Sequence, residues 1–152
     1  MIPLTIAKIT ELVDGAAFDI DLETIISADF SIDSRAVNVG GIFIAIKGEK
    51  VDGRDFAKQA LASGALCVLA DKRIEGPCIV ATDVIKALGE IAHYVRRQIP
   101  HLKVIGITGS QGKTTTKDLL AHVLSAAGKT HAAKGSYNND LGAPLTLLEC
   151  QS

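Results

Sequence analysis

Residues 104–117 read VIGITGSQGKTTTK, an apolar run followed by a glycine-rich turn and a Gly-Lys-Thr triplet. The general spacing rule for a phosphate-binding loop places four residues between its first glycine and the Gly-Lys-Thr. Here only Ser110 and Gln111 lie between Gly109 and Gly112, and position 107, where the rule requires glycine, is Ile107. The stretch is therefore either a nucleotide site of a particular kind or a plain glycine-rich turn.

The residues around the turn favour a nucleotide site. Residues 102–107 predict a buried strand, and residues 113–127 predict a helix whose apolar face carries Leu119, Leu120, Val123 and Leu124. Between them, backbone N–H groups and the positive end of the helix would point at one place, where a phosphate is stabilised. Lys113 would reach the β- and γ-phosphates, and the Thr114 hydroxyl would bind Mg²⁺. The predicted nucleotide contacts are Gly109, Ser110, Gln111, Gly112, Lys113, Thr114 and Thr115.

Upstream of the loop, apolar strands alternate with helices. The continuous apolar runs 42–46 and 65–70 predict buried strands, as does the shorter run Cys78–Val80. Helices are predicted after the N-cap candidates Thr5, Asp55 and Asp83, with the third closed by Pro100. This alternation predicts an α/β fold with both faces of the sheet covered. Residues 98–103 are the predicted domain boundary.

Composition limits the class of protein. The 152 residues are 47% hydrophobic and carry a net charge of −1, which argues against broad electrostatic attraction to nucleic acid or an anionic membrane. No basic leader precedes the first apolar residues, and the apolar runs are far shorter than the roughly 20 residues of a membrane helix. The three cysteines lie apart in no metal or disulfide pattern. They indicate reduced thiols and a cytoplasmic protein.

The short loop spacing resembles that of the Mur ligases, ATP-dependent enzymes that add amino acids to the peptidoglycan precursor. Those enzymes have Thr-Gly-x-x-Gly-Lys-Thr-[Ser/Thr]-Thr after an apolar strand, and this chain has TGSQGKTTT at residues 108–116. The departure from the general rule is then a family trait. The resemblance implies ATP and Mg²⁺ as cofactors, with Lys113 and Thr114 in catalytic roles.

A second stretch, IDSRAVNVGGIFIAI at residues 32–46, resembles the substrate-binding domain of the family members that add the third residue or the terminal dipeptide. In those relatives an Asp-Ser-Arg or Asp-Thr-Arg element lies near the uridine nucleotide. The resemblance therefore implies that Ser34, Arg35 and Lys47 contact the UDP part of the substrate. The alternative is a local ion pair between Asp33 and Arg35. Arg54 departs from the family, because relatives commonly have histidine there.

A third stretch, GSYNNDLGAPLTLL at residues 135–148, resembles the element that distinguishes the member adding D-alanyl-D-alanine. It implies that Asn138 and Asn139 contact substrate phosphate or sugar groups. The Asn-Asn-Asp run is also typical of a turn and helix cap. The sister ligase that adds diaminopimelate or lysine tends to have a Thr-Thr-Pro element near this position, which this chain lacks.

Together these resemblances imply an enzyme that joins D-alanyl-D-alanine to UDP-N-acetylmuramoyl-tripeptide through an acyl phosphate. Residues 1–100 would be a small α/β substrate-binding domain, and residues 101–152 the first strand–phosphate loop–helix unit of the ATPase domain. A nucleotide-binding sheet normally continues through further strand–helix units, so this chain resembles the front of a larger protein. Alone it should be inactive, because almost no chain remains to supply the downstream acidic Mg²⁺ ligand of such sites. A monomer is expected. The alternatives are the sister ligase, a P-loop kinase or GTPase, and a non-catalytic nucleotide-binding module.

Overall fold

A five-stranded sheet lies at the centre of the fold. The computed structural model describes residues 2–26, 29–133 and 140–150. The strands in these residues are β1 (Leu4–Thr5), β2 (Ala16–Phe18), β3 (Ile25–Ile26), β4 (Phe30–Ser31), β5 (Ile42–Ile44), β6 (Cys67–Ala70) and β7 (Cys78–Val80). The large sheet has the order β2-β7-β6-β5-β4, in which β4 to β7 are parallel and β2 is antiparallel to β7. Strands β1 and β3 form a separate antiparallel pair.

Helices pack on both faces of this sheet. The helices of the described residues are α1 (Ile6–Leu12), α2 (Ala57–Ala62), α3 (Val84–Arg97), α4 (Lys113–Ser125) and α5 (Gly142–Leu148). Ile42 and Ile44 of β5 pack into one core with α1 and α3, while Phe43 between them packs into a second core with α2. Continuous apolar runs are what parallel strands need when both of their faces are buried. The predicted α/β class with a covered parallel sheet is confirmed.

Two of the three predicted helix caps are confirmed. The Thr5 hydroxyl accepts a hydrogen bond from the Lys8 N–H at 3.1 Å, at the start of α1. The Asp83 carboxylate accepts from the N–H groups of Ile85 and Lys86 at 3.0 and 2.9 Å, at the start of α3. Each side chain satisfies backbone donors that have no partner within the helix.

The predicted cap at Asp55 is wrong. Asp52 is the cap, because its carboxylate accepts from the Arg54 N–H at 3.0 Å and begins a 3₁₀ turn, Gly53–Phe56, that leads into α2. The turn starts early because the backbone at Gly53 approaches the backbone at Ile46. A Cβ at position 53 would lie 2.6 Å from both the N and the O of Ile46, a distance that excludes any side chain there.

The predicted strand at 102–107 is also wrong. No strand is assigned between residue 101 and α4, and Val104 and Ile105 are more than half exposed. A strand needs a neighbour to pair with its N–H and C=O groups, and none of the described strands lies beside this segment. The predicted helix follows as α4, but its apolar face is only partly covered: Leu119 is 63% and Val123 65% exposed, while Leu120 and Leu124 are half-buried.

Helix α5 packs against α3 and β4. Leu148, at its end, is only 2% exposed and belongs to the core that α1 and α3 form, with Leu141, Leu145 and Leu147 packed against it. The last described helix therefore completes a core built mainly from the first hundred residues. No helix in residues 2–26, 29–133 and 140–150 has the length and apolar character needed to cross a bilayer.

Candidate nucleotide and substrate sites

The loop before α4 has the backbone geometry that anion binding requires. Gly112 is the N-cap residue of α4 and has φ +74°, a left-handed conformation that glycine adopts without steric cost. No side chain among the described residues caps this helix, so the first-turn N–H groups remain directed outward. A Cβ at Gly112 would meet nothing within 4 Å, so the space beside the loop is open. Backbone donors and the positive helix end therefore converge on an accessible place.

Lys113 brings a positive charge to the same loop. Its ammonium group reaches back and donates a hydrogen bond to the Gly109 carbonyl at 2.5 Å. This contact joins the two ends of the segment from Gly109 to Lys113 and holds the ammonium over the turn. Thr114 and Thr115 follow in the exposed first turn of α4, and Ser110 and Gln111 are exposed in the loop. The residues present thus suit a nucleotide phosphate.

A Mg²⁺ ion at this loop would have few ligands from the described part of the protein. Within the described part of the chain, no group of three or more His, Cys, Asp or Glu side chains could hold a metal ion. Mg²⁺ beside a nucleotide usually keeps several waters and takes one or two protein ligands together with phosphate oxygens. The Thr114 hydroxyl at the helix start suits one such ligand position.

The predicted uridine-nucleotide contacts follow neighbouring parallel strands. Ser34 and Arg35 come just after β4, and Lys47 comes just after β5, which pairs with β4 in parallel. In open α/β sheets, ligands bind outside the carboxyl ends of the strands. The topology therefore brings these residues to the edge of the sheet at which a ligand is expected. We call it the carboxyl-end edge.

The Ser34 hydroxyl already has a hydrogen-bond partner within the protein. Its side chain is buried, and its hydroxyl donates a hydrogen bond to Gln59 Oε1 on α2 at 2.9 Å. The donor is thus used to attach the segment after β4 to a helix on the sheet face. A hydroxyl oxygen can still accept a hydrogen bond, so the structure leaves Ser34 an acceptor role and a positioning role.

Arg35 forms the local ion pair with Asp33 that the sequence left open. Its Nε and Nη2 donate to the two Asp33 carboxylate oxygens, each at 3.0 Å. These hydrogen bonds lower the pKa of Asp33 to about 2. The pair does not consume the guanidinium, which has five N–H donors and belongs to a side chain 76% exposed. Arg35 can therefore contact an anion while it remains paired with Asp33.

Lys47 lies at the base of a short hairpin. It forms an isolated antiparallel bridge with Asp52, and its residue is exposed. Next to it, the structure shows a charge cluster that the sequence did not predict. Arg54 donates to both Asp52 oxygens, and its Nε lies 3.5 Å from Asp71 Oδ1. The sequence feature that could have indicated this cluster is that Asp71 directly follows the buried strand β6.

Asn138 and Asn139, the third group of predicted contacts, lie outside the described residues. The nearest described element is α5, which begins at Gly142.

The family models and the relatives that match this chain point to the same protein family. Residues 30–111 match the model described as Mur ligase family, catalytic domain, and residues 107–152 match the Mur ligase middle domain. The UDP-N-acetylmuramoyl-tripeptide–D-alanyl-D-alanine ligase of Escherichia coli K12 is 39% identical over 97% of this chain. The match covers 32% of that relative, so this chain spans about a third of its length.

Solved structures give the same result. A crystal structure of MurF from Acinetobacter baumannii superposes with a TM-score of 0.87 at 36% identity, over 98% of this chain and 33% of that one. MurF ligase from Thermotoga maritima, solved in complex with ADP, has a TM-score of 0.69 at 30% identity, over 84% of this chain and 30% of that one.

Proposed function

We propose, from the premise that this chain belongs to the Mur ligase family, that it is the N-terminal part of an ATP-dependent amide ligase. The reaction is the addition of D-alanyl-D-alanine to UDP-N-acetylmuramoyl-tripeptide. The observation that carries this proposal is the glycine loop with Lys113 folded over Gly109 at the start of α4. It occurs in a chain 39% identical, over 97% of its length, to a relative named for that activity.

In this proposal the loop holds ATP. The backbone N–H groups of Gly109, Ser110, Gln111 and Gly112 surround the phosphates, and Thr115 contacts them from the first turn of α4. Lys113 exchanges its hydrogen bond with the Gly109 carbonyl for a phosphate oxygen, and the Thr114 hydroxyl binds Mg²⁺. The complex of the Thermotoga maritima relative with ADP supports a nucleotide here.

The carboxyl-end edge takes the uridine diphosphate end of the acceptor. Arg35 supplies a planar guanidinium and Lys47 a point charge, the two cationic groups that suit diphosphate oxygens. Ser34 keeps the segment after β4 attached to Gln59 and offers its oxygen as an acceptor. Asn138 and Asn139 contact phosphate or sugar groups of the substrate.

The proposed chemistry is the one that the resemblance to the Mur ligases implies. Phosphoryl transfer from ATP would convert the tripeptide's terminal carboxylate into an acyl phosphate and leave ADP. The dipeptide amine would then attack the acyl carbon, which forms the amide, displaces inorganic phosphate and releases the proton of the amine. Lys113 neutralises charge that develops on the transferring group, an interaction worth most where water is excluded. Residues 1–100 bind the substrate in this scheme, and residues 101–152 begin the ATP-binding domain.

Three free cysteines support a cytoplasmic setting for this enzyme, which we take to be a monomer. Burial raises the pKa of the Cys67 thiol to about 12, so this thiol packs in the core and does not act as a nucleophile.

Two parallel activity assays of the full-length protein, each with a different pair of substrates, test the proposal. One mixture contains ATP, UDP-linked tripeptide and D-alanyl-D-alanine; the other contains ATP, UDP-linked dipeptide and diaminopimelate or lysine. We expect phosphate release and a new amide in the first mixture only. Turnover in the second alone would assign the chain to the sister ligase, and nucleotide binding without turnover in either would make it a binding module.

A further inference from the structure

The chain that carries Lys47 is a tight hairpin, residues 46–53. The Gly53 N–H donates to the Ile46 carbonyl and the Gly48 N–H to the Val51 carbonyl, both at 2.9 Å. Gly53 lies so close to Ile46 that no side chain fits there. The hairpin is thus rigid at its base, and its orientation depends on what holds that base to the sheet.

Arg54 makes this attachment. Its Nε donates to the two Asp52 oxygens at 3.0 and 3.1 Å and its Nη2 donates to Asp52 Oδ2 at 2.5 Å, at the hairpin base. The same Nε lies 3.5 Å from Asp71 Oδ1, just past the end of β6, which is an ion-pair contact without a hydrogen bond. That oxygen is buried, and no described residue donates a hydrogen bond to it, so the guanidinium is its compensating charge. One side chain therefore joins the hairpin to the neighbouring strand.

The environment of Arg54 distinguishes it from a ligand-binding arginine. The side chain is 24% exposed and faces two carboxylates, whereas Arg35 is 76% exposed and faces one. A guanidinium already neutralised by Asp52 and Asp71 has little charge to offer an incoming diphosphate. Lys47 lies on the hairpin as an exposed residue, and its ammonium acts on Asp52 through Coulombic attraction alone, so it can still turn to an incoming diphosphate.

We propose that Arg54 is a positioning residue: by joining Asp52 to Asp71 it holds the hairpin so that Lys47 stays at the carboxyl-end edge, ready for a nucleoside diphosphate. This inference rests on the proposed function of that edge in binding the UDP-linked substrate. The role requires the planar guanidinium, whose Nε and Nη2 both bind Asp52 while its charge lies beside Asp71, and a lysine at position 54 cannot reproduce this arrangement.

A double-mutant cycle in the full-length ligase tests it. We expect Lys47→Ala to raise the KM for the UDP-linked tripeptide about tenfold, as loss of a charge-assisted contact does. Arg54→Ala should raise the same KM about fivefold, and by no more than Lys47→Ala does, with kcat and the KM for ATP within about twofold of wild type. The double variant should be no worse than Lys47→Ala alone, because Arg54 acts through Lys47.

Two further variants separate positioning from general stability. Asp71→Asn keeps the shape of the side chain and removes the other end of the attachment, so it should raise the same KM in the same direction. Arg96→Ala removes an exposed arginine at the end of α3 and should change no kinetic constant. UDP binding by calorimetry on the same proteins gives a readout that needs no turnover.

The outcomes are distinguishable. If wild type ligates but Arg54→Ala lowers the melting temperature and leaves the KM unchanged, Arg54 is a structural ion pair and the inference fails. The inference also fails if the double variant raises the KM for the UDP-linked tripeptide by the product of the two single-variant effects. If wild type neither ligates nor binds UDP, the proposed function itself fails.

Discussion

Replacing Leu148 by alanine tests whether α5 belongs to the core of the first hundred residues. The leucine is 2% exposed, so its truncation removes nearly all of a leucine's transfer free energy, about 2 kcal/mol, and leaves a cavity. The cavity would lie where α5 meets α3, and a short helix can move inward only partly. We expect the free energy of unfolding to fall by about 3 kcal/mol, within the range of buried leucine truncations.

The assay is urea and thermal unfolding of the 152-residue chain, followed by circular dichroism. A loss of this size should lower the melting temperature by roughly 6 to 12 °C and leave the urea m-value unchanged. Leu119→Ala is the matched control, since it removes the same atoms from α4 at a position 63% exposed. It should change the unfolding free energy by less than about 0.5 kcal/mol.

Equal stability of the Leu148→Ala and Leu119→Ala proteins would refute this reasoning. Residues 1–100 would then hold their core without α5, and the contact of α5 with α3 would contribute nothing measurable.

Two other predictions concern the loop and the ion pairs. If the proposed function holds, Lys113→Ala in the full-length protein should reduce phosphate release at least tenfold, because a charge-assisted contact worth about 1.5–3 kcal/mol is lost, and the fold should be unchanged. Release within about threefold of wild type would contradict the phosphate-loop proposal. The pKa of Asp33 is lowered to about 2 by Arg35, so the pair stabilises the fold above the unfolded pKa, and this contribution is lost as the pH falls through about 2. Asp33→Asn should therefore flatten the decline in melting temperature between about pH 4 and 2, and an unchanged slope would show that the pair contributes nothing.

Local chemistry explains what the sequence could predict of the fold. Thr5 and Asp83 cap helices through hydrogen bonds to residues two or three positions away, and such signals are complete within a few residues. Strands β5 and β6 are continuous apolar runs. Strands β1, β3 and β4 have two residues each, too few for any periodicity to mark them.

The wrong predictions required information from distant residues. Asp52 and Asp55 both match a cap pattern, and the close approach of Gly53 to Ile46 decides between them. Residues 102–107 have the composition of a strand, but composition cannot show whether a partner strand lies beside them.

The same distinction applies to the candidate sites. The loop from Gly109 to Thr115 is contiguous, so its pattern could be recognised directly. The attachment of Arg54 to Asp71 joins residues on either side of α2 and β6, and only the sheet topology brings them together. The local pair of Asp33 and Arg35 was foreseen as one of two alternatives because it spans two positions.

The position of Leu148 has a consequence for synthesis on the ribosome. The last residue of α3 in the main core is Val95, yet the helix that covers α3 ends at Leu148. At a synthesis rate of about 5–20 residues per second, roughly 3 to 10 s pass between the addition of Val95 and the addition of Leu148. Helices and hairpins form far faster than this. During that interval the nascent chain presents the apolar side of α3 that α5 later covers. A chaperone that binds exposed apolar helices would find its target in this window, before the chain reaches Leu148.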